Sequence, residues 1–237
     1  MTESAVNYEL QGTVAVITID DGKANAISHA IASGVHDALT RARSEARSVV
    51  IAGRPGRFSA GFDLPTMTSS AEAARDLLRA GAELALEINE FPMPVVMAST
   101  GHALAMGAIL LMAADVRIGG EGNFKIGLNE VAIGMPVPRF AVELARNSLS
   151  IAEFTKAVNH ATVYDSAGAV TAGYLDRLVA DDDVITVAIA TAAELGERLH
   201  AKPFALTRVN CRGAAVAKMR QELAEDIATF VIELPES

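Results

Sequence analysis

The chain has 237 residues, of which 51% are hydrophobic and 21% are charged, enough for one sizeable core and too few to predict two full domains. Its formal net charge of -9, without any run of Lys or Arg, argues against nucleic acid or an anionic membrane surface as the main partner. The single cysteine, Cys211, rules out an internal disulfide, and we interpret it as structural.

No segment has the character of a membrane span or a secretion signal. The longest apolar stretches are well below the ~20 residues that a transmembrane helix needs. The first ten residues contain acidic side chains and no basic segment before an apolar run, unlike a secretory signal. We therefore expect a cytoplasmic protein without membrane partners.

Apolar periodicity divides the first half of the chain into alternating strands and helices. It predicts strands over 14–19, 48–53, 95–98 and 116–118. It predicts helices that begin after the cap Ser28 and that run over 71–89 and 105–114. From Pro136 onward, the apolar positions are spaced almost entirely as in helices. Alternation of strand and helix predicts the α/β class.

Three segments combine small residues with features that suit chemistry. Residues 57–64 and 101–108 each lead through a small-residue turn toward a helix, so that two helix N-termini can direct N–H donors at one oxyanion. Residues 127–134 place Glu130 in an apolar stretch bounded by glycines. Burial would raise the pKa of this carboxyl group and suit it to proton transfer.

These segments, with residues 23–28 before them and 166–179 after them, resemble the crotonase (enoyl-CoA hydratase/isomerase) superfamily in order and spacing. The resemblance implies a crotonase fold, a spiral of ββα units with a helical C-terminal region. It implies a core with an acyl-CoA site over 1–180 and, in the same domain, a helical region over 181–237 that makes oligomer contacts. Homotrimers or hexamers, as dimers of trimers, are expected.

The resemblance also assigns the site. The backbone N–H groups of Phe62 and Met106 correspond to the oxyanion hole; the family often has Gly at the second position, but Met can adopt helical φ. Glu130 corresponds to the second of two hydratase glutamates, and Ile109 replaces the first. The remaining substrate-binding positions are Lys23, Ala24, Ala26, Ala60, Gly61, Asp63, Leu64, Leu104, Gly107 and Ile109. Ile109 and Leu104 are expected to line a dry acyl pocket.

One carboxylate is chemically sufficient to move a proton from C2 to C4 of a 3-enoyl thioester. The wording of residues 127–130 and of 225–231 resembles the Δ3,Δ2-enoyl-CoA isomerase branch, so we predict a double-bond isomerase. One alternative is a hydratase or another crotonase reaction in which Glu143 or Asp63 replaces the missing glutamate. Another is a non-catalytic acyl-CoA-binding homologue.

Other polar residues have simpler interpretations. Asp63 is expected to cap the helix that follows it, and His102 to pack or hydrogen-bond rather than to serve a nucleophile. Candidates for the CoA phosphates are four basic residues, Lys23, Arg54, Arg57 and Lys125, each of which is otherwise a surface charge. No metal is expected, and no cofactor apart from the CoA of the substrate.

Overall fold

The computed structural model describes residues 4–230 as two β-sheets surrounded by helices. The strands are β1 (Val6–Gln11), β2 (Val14–Ile19), β3 (Ser48–Ala52), β4 (Gly56–Ser59), β5 (Val95–Ser99), β6 (Gly101–Leu104), β7 (Val116–Gly120), β8 (Ile126–Gly127) and β9 (Arg177–Val179). The α-helices are α1 (His29–Glu45), α2 (Leu64–Ser69), α3 (Ala71–Glu90), α4 (Met106–Ala113), α5 (Arg139–Ser148), α6 (Ile151–Val158), α7 (Ser166–Ala172), α8 (Val184–Arg198) and α9 (Ala201–Thr229).

The strands are divided between a large and a small sheet. The large sheet has the order β1-β2-β3-β5-β7-β9, antiparallel between β1 and β2 and parallel elsewhere. The small sheet, β4-β6-β8, is parallel throughout. Each consecutive pair β3–β4, β5–β6 and β7–β8 therefore gives its first strand to the large sheet and its second to the small one. The predicted α/β class and the spiral of repeated units are confirmed.

The long elements lie where periodicity predicts them. The Ser28 side chain accepts from the N–H of Ile31 and caps α1 as predicted, and α3 matches the predicted helix to within one residue. The small sheet was missed because its strands are two to four residues long, too short for a period to be recognised. The edge strand β1 was missed too, although Val6, Tyr8 and Leu10 alternate with polar residues.

The C-terminal region completes the core. Alternate residues of β2 face opposite sides of the large sheet. Ile17 belongs to the main core with α1, α3 and α4, whereas Val14 and Val16 join a second cluster that Val184 and Ala188 of α8 cover. The predicted boundary at residue 180 thus falls between β9 and α8, the helix that covers this face of the large sheet. The division into a core and a C-terminal helical region remains a prediction.

Two simpler expectations concern the surface. Cys211 is exposed on α9. Its thiol fills no part of the core, so the interpretation of Cys211 as a structural residue is wrong. Within residues 4–230, no helix combines the length and the apolar character needed to cross a bilayer.

The small sheet brings the three segments singled out in the sequence together. Ser59 is paired with Ala103, and Leu104 with Gly127, so the carboxyl ends of β4, β6 and β8 lie side by side. Ligands of open parallel sheets bind at this edge, where the chain leaves each strand. The turns after β4, β6 and β8 carry Phe62, Met106 and Glu130, respectively.

Candidate active site

The turn after β4 presents a free backbone donor. Gly61 has φ +99°, a conformation that glycine adopts without a steric penalty. Its carbonyl accepts from the N–H of Ile27 at 2.7 Å, and the N–H of Asp63 donates to the carbonyl of Ile27 at 3.0 Å. The N–H of Phe62, between these bonds, has no acceptor in the described part of the chain.

The turn after β6 presents a second donor. Met106 is the first residue of α4, and no acceptor for its N–H occurs among residues 4–230. As predicted, Met106 itself is helical. The unusual conformation belongs to Ala105, with φ 49° and ψ -120°, which is sparsely populated by residues with a side chain and costs about 1–3 kcal/mol. This conformation of Ala105 turns the chain from β6 into α4.

Two glycines let these turns close on each other. A Cβ atom on Gly61 would lie 2.9 Å from the Ala105 Cβ and 3.6 Å from the Met106 nitrogen. A Cβ atom on Gly107 would lie 2.6 Å from the Ser59 carbonyl oxygen. Real Cβ atoms do not approach other atoms to 2.9 or 2.6 Å, so glycine at both positions lets the turns of Phe62 and Met106 lie in contact. The two donors therefore belong to one small region.

The turn after β8 carries the carboxylate. Glu130 precedes a short 3-10 turn (Val131–Ile133), and the residue is only 6% exposed. Burial raises the pKa of Glu130 to about 7, although the backbone N–H groups of Glu130 and Asn129 partly offset this effect. The Glu130 Oε2 atom has no hydrogen-bond partner within residues 4–230. An acid with such a pKa can both accept and return a proton near neutral pH.

Glu130 lines a cavity of about 190 Å³. The other lining residues are Ala60, Phe62, Leu64, Met67, Leu78, Ala105, Ile109, Asn129, Ile133, Met135, Pro136, Pro138 and Phe230. Glu130 is the one ionisable side chain of this lining in the described structure. Ile109 is buried in the lining, as predicted, whereas Leu104 and Gly107 do not line the cavity.

Both candidates for a replacement acid are engaged elsewhere. The Asp63 carboxylate accepts from Thr66 N at 3.1 Å and from Thr66 Oγ1 at 2.6 Å, so it caps α2 as predicted. The Glu143 carboxylate accepts from Lys218 Nζ at 2.6 Å. Neither side chain lines the cavity.

Asn25 holds the loop that contains Lys23, Ala24 and Ala26, and sequence reasoning missed it. It is fully buried with φ 52°. Its Nδ2 atom donates to the carbonyls of Ile19 at 2.7 Å and of Phe58 at 3.3 Å, and its Oδ1 accepts from Asp21 N at 3.0 Å. Asn next to a turn, a residue type that tolerates positive φ, was the available signal.

Beside this loop lie basic residues. The His102 Nδ1 atom accepts from the backbone N–H of Lys125 at 2.8 Å, so the predicted hydrogen-bonding role of His102 is confirmed. Burial lowers the pKa of His102, and the charges of Arg57 and Lys125 lower it further. Arg54 Nη1 donates to the Lys23 carbonyl at 2.7 Å. The four basic candidates therefore lie on neighbouring segments.

Comparison with known proteins gives this site a family. Residues 9–231 match the family model described as enoyl-CoA hydratase/isomerase. The chain belongs to the enoyl-CoA hydratase/isomerase family. The predicted crotonase family is thereby confirmed.

Solved structures of this family share the fold over nearly the whole chain. A family member from Pseudomonas syringae is 38% identical with a TM-score of 0.93, covering 96% of this chain and 98% of that one. A Mycobacterium tuberculosis protein is 36% identical with a TM-score of 0.90, covering 95% of this chain and 98% of that one. One structure of that protein describes it as an enoyl-CoA isomerase and another as a probable enoyl-CoA hydratase.

A sequence relative from Bacillus subtilis is described as a probable enoyl-CoA hydratase. It is 36% identical over 142 residues, which is 58% of this chain and 54% of that protein. The chain thus matches little more than half of the length of this relative.

Substitution of Asn25 tests the loop. Asn25→Ala removes the side-chain hydrogen bonds to Ile19, Asp21 and Phe58 and leaves a side chain less suited to positive φ. We expect a loss of about 2–4 kcal/mol in the free energy of unfolding, measured by chemical denaturation. Asn25→Gly, which keeps the conformation but not the bonds, should recover only a minor part of the loss. Wild-type stability of Asn25→Ala would contradict this role.

Substitution of Glu130 tests its burial. Because its folded-state pKa is raised to about 7, Glu130 contributes stability below its unfolded pKa near 4.5 that is lost as the pH rises through about 7. Glu130→Gln carries no charge at any pH. Its stability relative to the wild type should therefore rise between pH 5 and pH 8 by on the order of 3 kcal/mol. A difference in melting temperature that is independent of pH would show that the carboxyl group is solvated.

Proposed function

We propose that the chain binds a 3-enoyl-CoA thioester and moves its double bond from C3 to C2, with Glu130 as the single acid and base. The observation that carries the proposal is that the described lining of the cavity contains one ionisable group, Glu130, with Ile109 at the position of the first hydratase glutamate. A 1,3-proton shift needs one such group. Addition of water, in the hydratases that the chain resembles, uses two.

The proposed reaction has two steps that conserve all atoms. The Glu130 carboxylate first removes a proton from C2, and the electron pair of the C–H bond is delocalised over the thioester oxygen and C4. The oxygen accepts hydrogen bonds from the N–H groups of Phe62 and Met106. Protonated Glu130 then returns the proton to C4, which leaves the double bond between C2 and C3.

Preorganised N–H donors favour the dienolate over the neutral thioester because the negative charge develops on the oxygen that they contact. A single donor of this kind typically accounts for ~3 kcal/mol of transition-state stabilisation. An apolar cavity strengthens this interaction, since little water is present to screen it. Burial also supports proton return, because it holds the pKa of Glu130 near neutrality.

The CoA moiety is proposed to contact the basic residues beside the Asn25 loop. A diphosphate and a 3′-phosphate require cationic partners, and Lys23, Arg54, Arg57 and Lys125 lie on adjacent segments. The proposed chemistry uses no metal and no cofactor other than this CoA group.

Hydration of a 2-enoyl-CoA is the second candidate. Relatives described as probable enoyl-CoA hydratases share about a third of the residues that they align with this chain, and this favours the alternative. It requires a second group that holds water, and neither Glu143 nor Asp63 lines the cavity.

Incubation with 3-enoyl-CoA and 2-enoyl-CoA in separate reactions distinguishes these candidates. We expect the 3-enoyl substrate to gain conjugated-thioester absorbance without a change in mass. Glu130→Gln should lower this rate by about 10²–10⁴-fold, whereas Glu143→Gln, the matched control, should retain it.

The pH dependence provides an internal check of the same prediction. Because the carboxylate form removes the proton, kcat/KM should rise with pH through about 7. A mass gain of one water on the 2-enoyl substrate, or full activity of Glu130→Gln, would contradict the isomerase assignment. Binding of both thioesters without turnover would favour the non-catalytic alternative.

Assembly into trimers or dimers of trimers is proposed as well. Two apolar side chains one helical turn apart on α9, Leu206 and Val209, are 67% and 65% exposed, which favours burial against another subunit. Leu206→Glu with Val209→Glu should therefore lower the mass measured by light scattering to that of a smaller species. Replacement of Gln221, an exposed residue about four turns further along the same helix, by Glu is the control. An unchanged mass of the double variant would contradict an interface at this face.

A further inference from the structure

A buried glycine lies in the middle of the continuous helix α3. Gly81 lies in the interior of this 20-residue helix and is flanked by the buried residues Leu78, Ala82 and Leu84. Glycine at such a position costs about 0.8–1.0 kcal/mol relative to alanine. The surrounding structure must therefore explain why a side chain is absent.

The space beside Gly81 is occupied by two residues that are distant in the sequence. A Cβ atom on Gly81 would lie 2.6 Å from the Phe62 Cζ, closer still to the Phe62 Cε1, and 3.3 Å from the Met106 Sδ. Phe62 and Met106 each carry a backbone N–H group that has no acceptor within residues 4–230. The side chains of both donor residues thus meet in the space that the absent side chain of Gly81 leaves on α3, which we call the notch.

We propose that Gly81 is a positioning residue for the oxyanion hole: the notch in α3 accepts the Phe62 ring and the Met106 thioether, so that their backbone N–H groups can face one oxygen. This inference rests on the proposed thioester chemistry. It also assigns a role to the side chains of Phe62 and Met106. An oxyanion hole made only of backbone N–H groups does not by itself explain the identity of these side chains.

The direction in which strain would be relieved supports this role. Alanine at position 81 would overlap the Phe62 ring, a rigid group rather than the end of a flexible chain. Helix α3 has buried core residues before and after Gly81, so that a shift of the helix would disturb the core. Phe62 follows Gly61, whose turn the Ile27 bonds hold. The proposal is that displacement of the ring shifts the Phe62 peptide as well, and misplacement of a catalytic group by about 1 Å can cost on the order of 10²-fold in rate.

The test is a double-mutant cycle in the full-length protein. Gly81→Ala is expected to lower kcat by about 10–100-fold, with KM changed by only a few-fold. Phe62→Leu keeps the backbone N–H but removes the Cε and Cζ atoms that an alanine at position 81 would meet. In the Phe62→Leu background, Gly81→Ala should therefore change kcat by less than a few-fold.

Gly213→Ala is the matched control, because a Cβ atom there would make only an ordinary contact of 3.6 Å with Val209. It should retain wild-type kcat. Full activity of Gly81→Ala, or an equal loss with and without the Phe62 ring, would overturn the proposal. If Gly81→Ala does not fold, the double variant with Phe62→Leu should fold, and failure of both would also overturn it.

Failure of the isomerase assignment remains distinguishable from failure of this inference. If the wild type hydrates a 2-enoyl-CoA instead, the same cycle is measured on that reaction, which also needs a polarised thioester. If no thioester is turned over, crystal structures of the wild type and Gly81→Ala decide the question. They should show a changed separation between the Phe62 and Met106 nitrogen atoms, and an unchanged separation would refute the positioning role.

Discussion

Parallel pairing of three very short strands is the constraint on which the site depends. β4, β6 and β8 have few hydrogen bonds of their own, yet their alignment makes three distant segments leave one sheet edge together. Phe62 and Glu130 are distant in the sequence. This strand pairing, together with the glycines that let the turns touch, brings them to the same site. The repeated division of strand pairs between two sheets explains why a candidate catalytic group follows each strand of the smaller sheet.

Electrostatics at this edge follow from what surrounds the carboxylate. Glu130 lies in a largely apolar lining, and its pKa is raised chiefly because water is excluded from it. The same exclusion favours backbone N–H donors as partners for a developing oxyanion, since they bring polarity without a mobile charge. Ile109 adds an apolar side chain to the same lining. The proposed reaction, in which a proton is moved and no water molecule is added, rests on this arrangement.

The sequence predicted the long elements and the three site segments, but not the contacts between them. The helix over 71–89 and the strand over 14–19 have enough turns or alternations for periodicity to identify them. Phe62, Met106 and Glu130 were found through a family resemblance and through small residues beside strands. Asn25 was missed because its side chain binds the carbonyl of Phe58, and Gly81 because its proposed role depends on the Phe62 ring. No local pattern encodes such contacts.

The carbonyl stretching frequency of a bound thioester tests the central claim most directly, because it reports hydrogen bonding to the oxygen itself. A 13C-carbonyl-labelled 3-enoyl-CoA bound to the inactive variant Glu130→Gln would be compared by difference infrared spectroscopy with the same molecule in water. Two backbone donors in an apolar site should move the thioester carbonyl band to lower frequency than in water. A band at the frequency of water or above it would contradict an oxyanion hole formed by Phe62 and Met106.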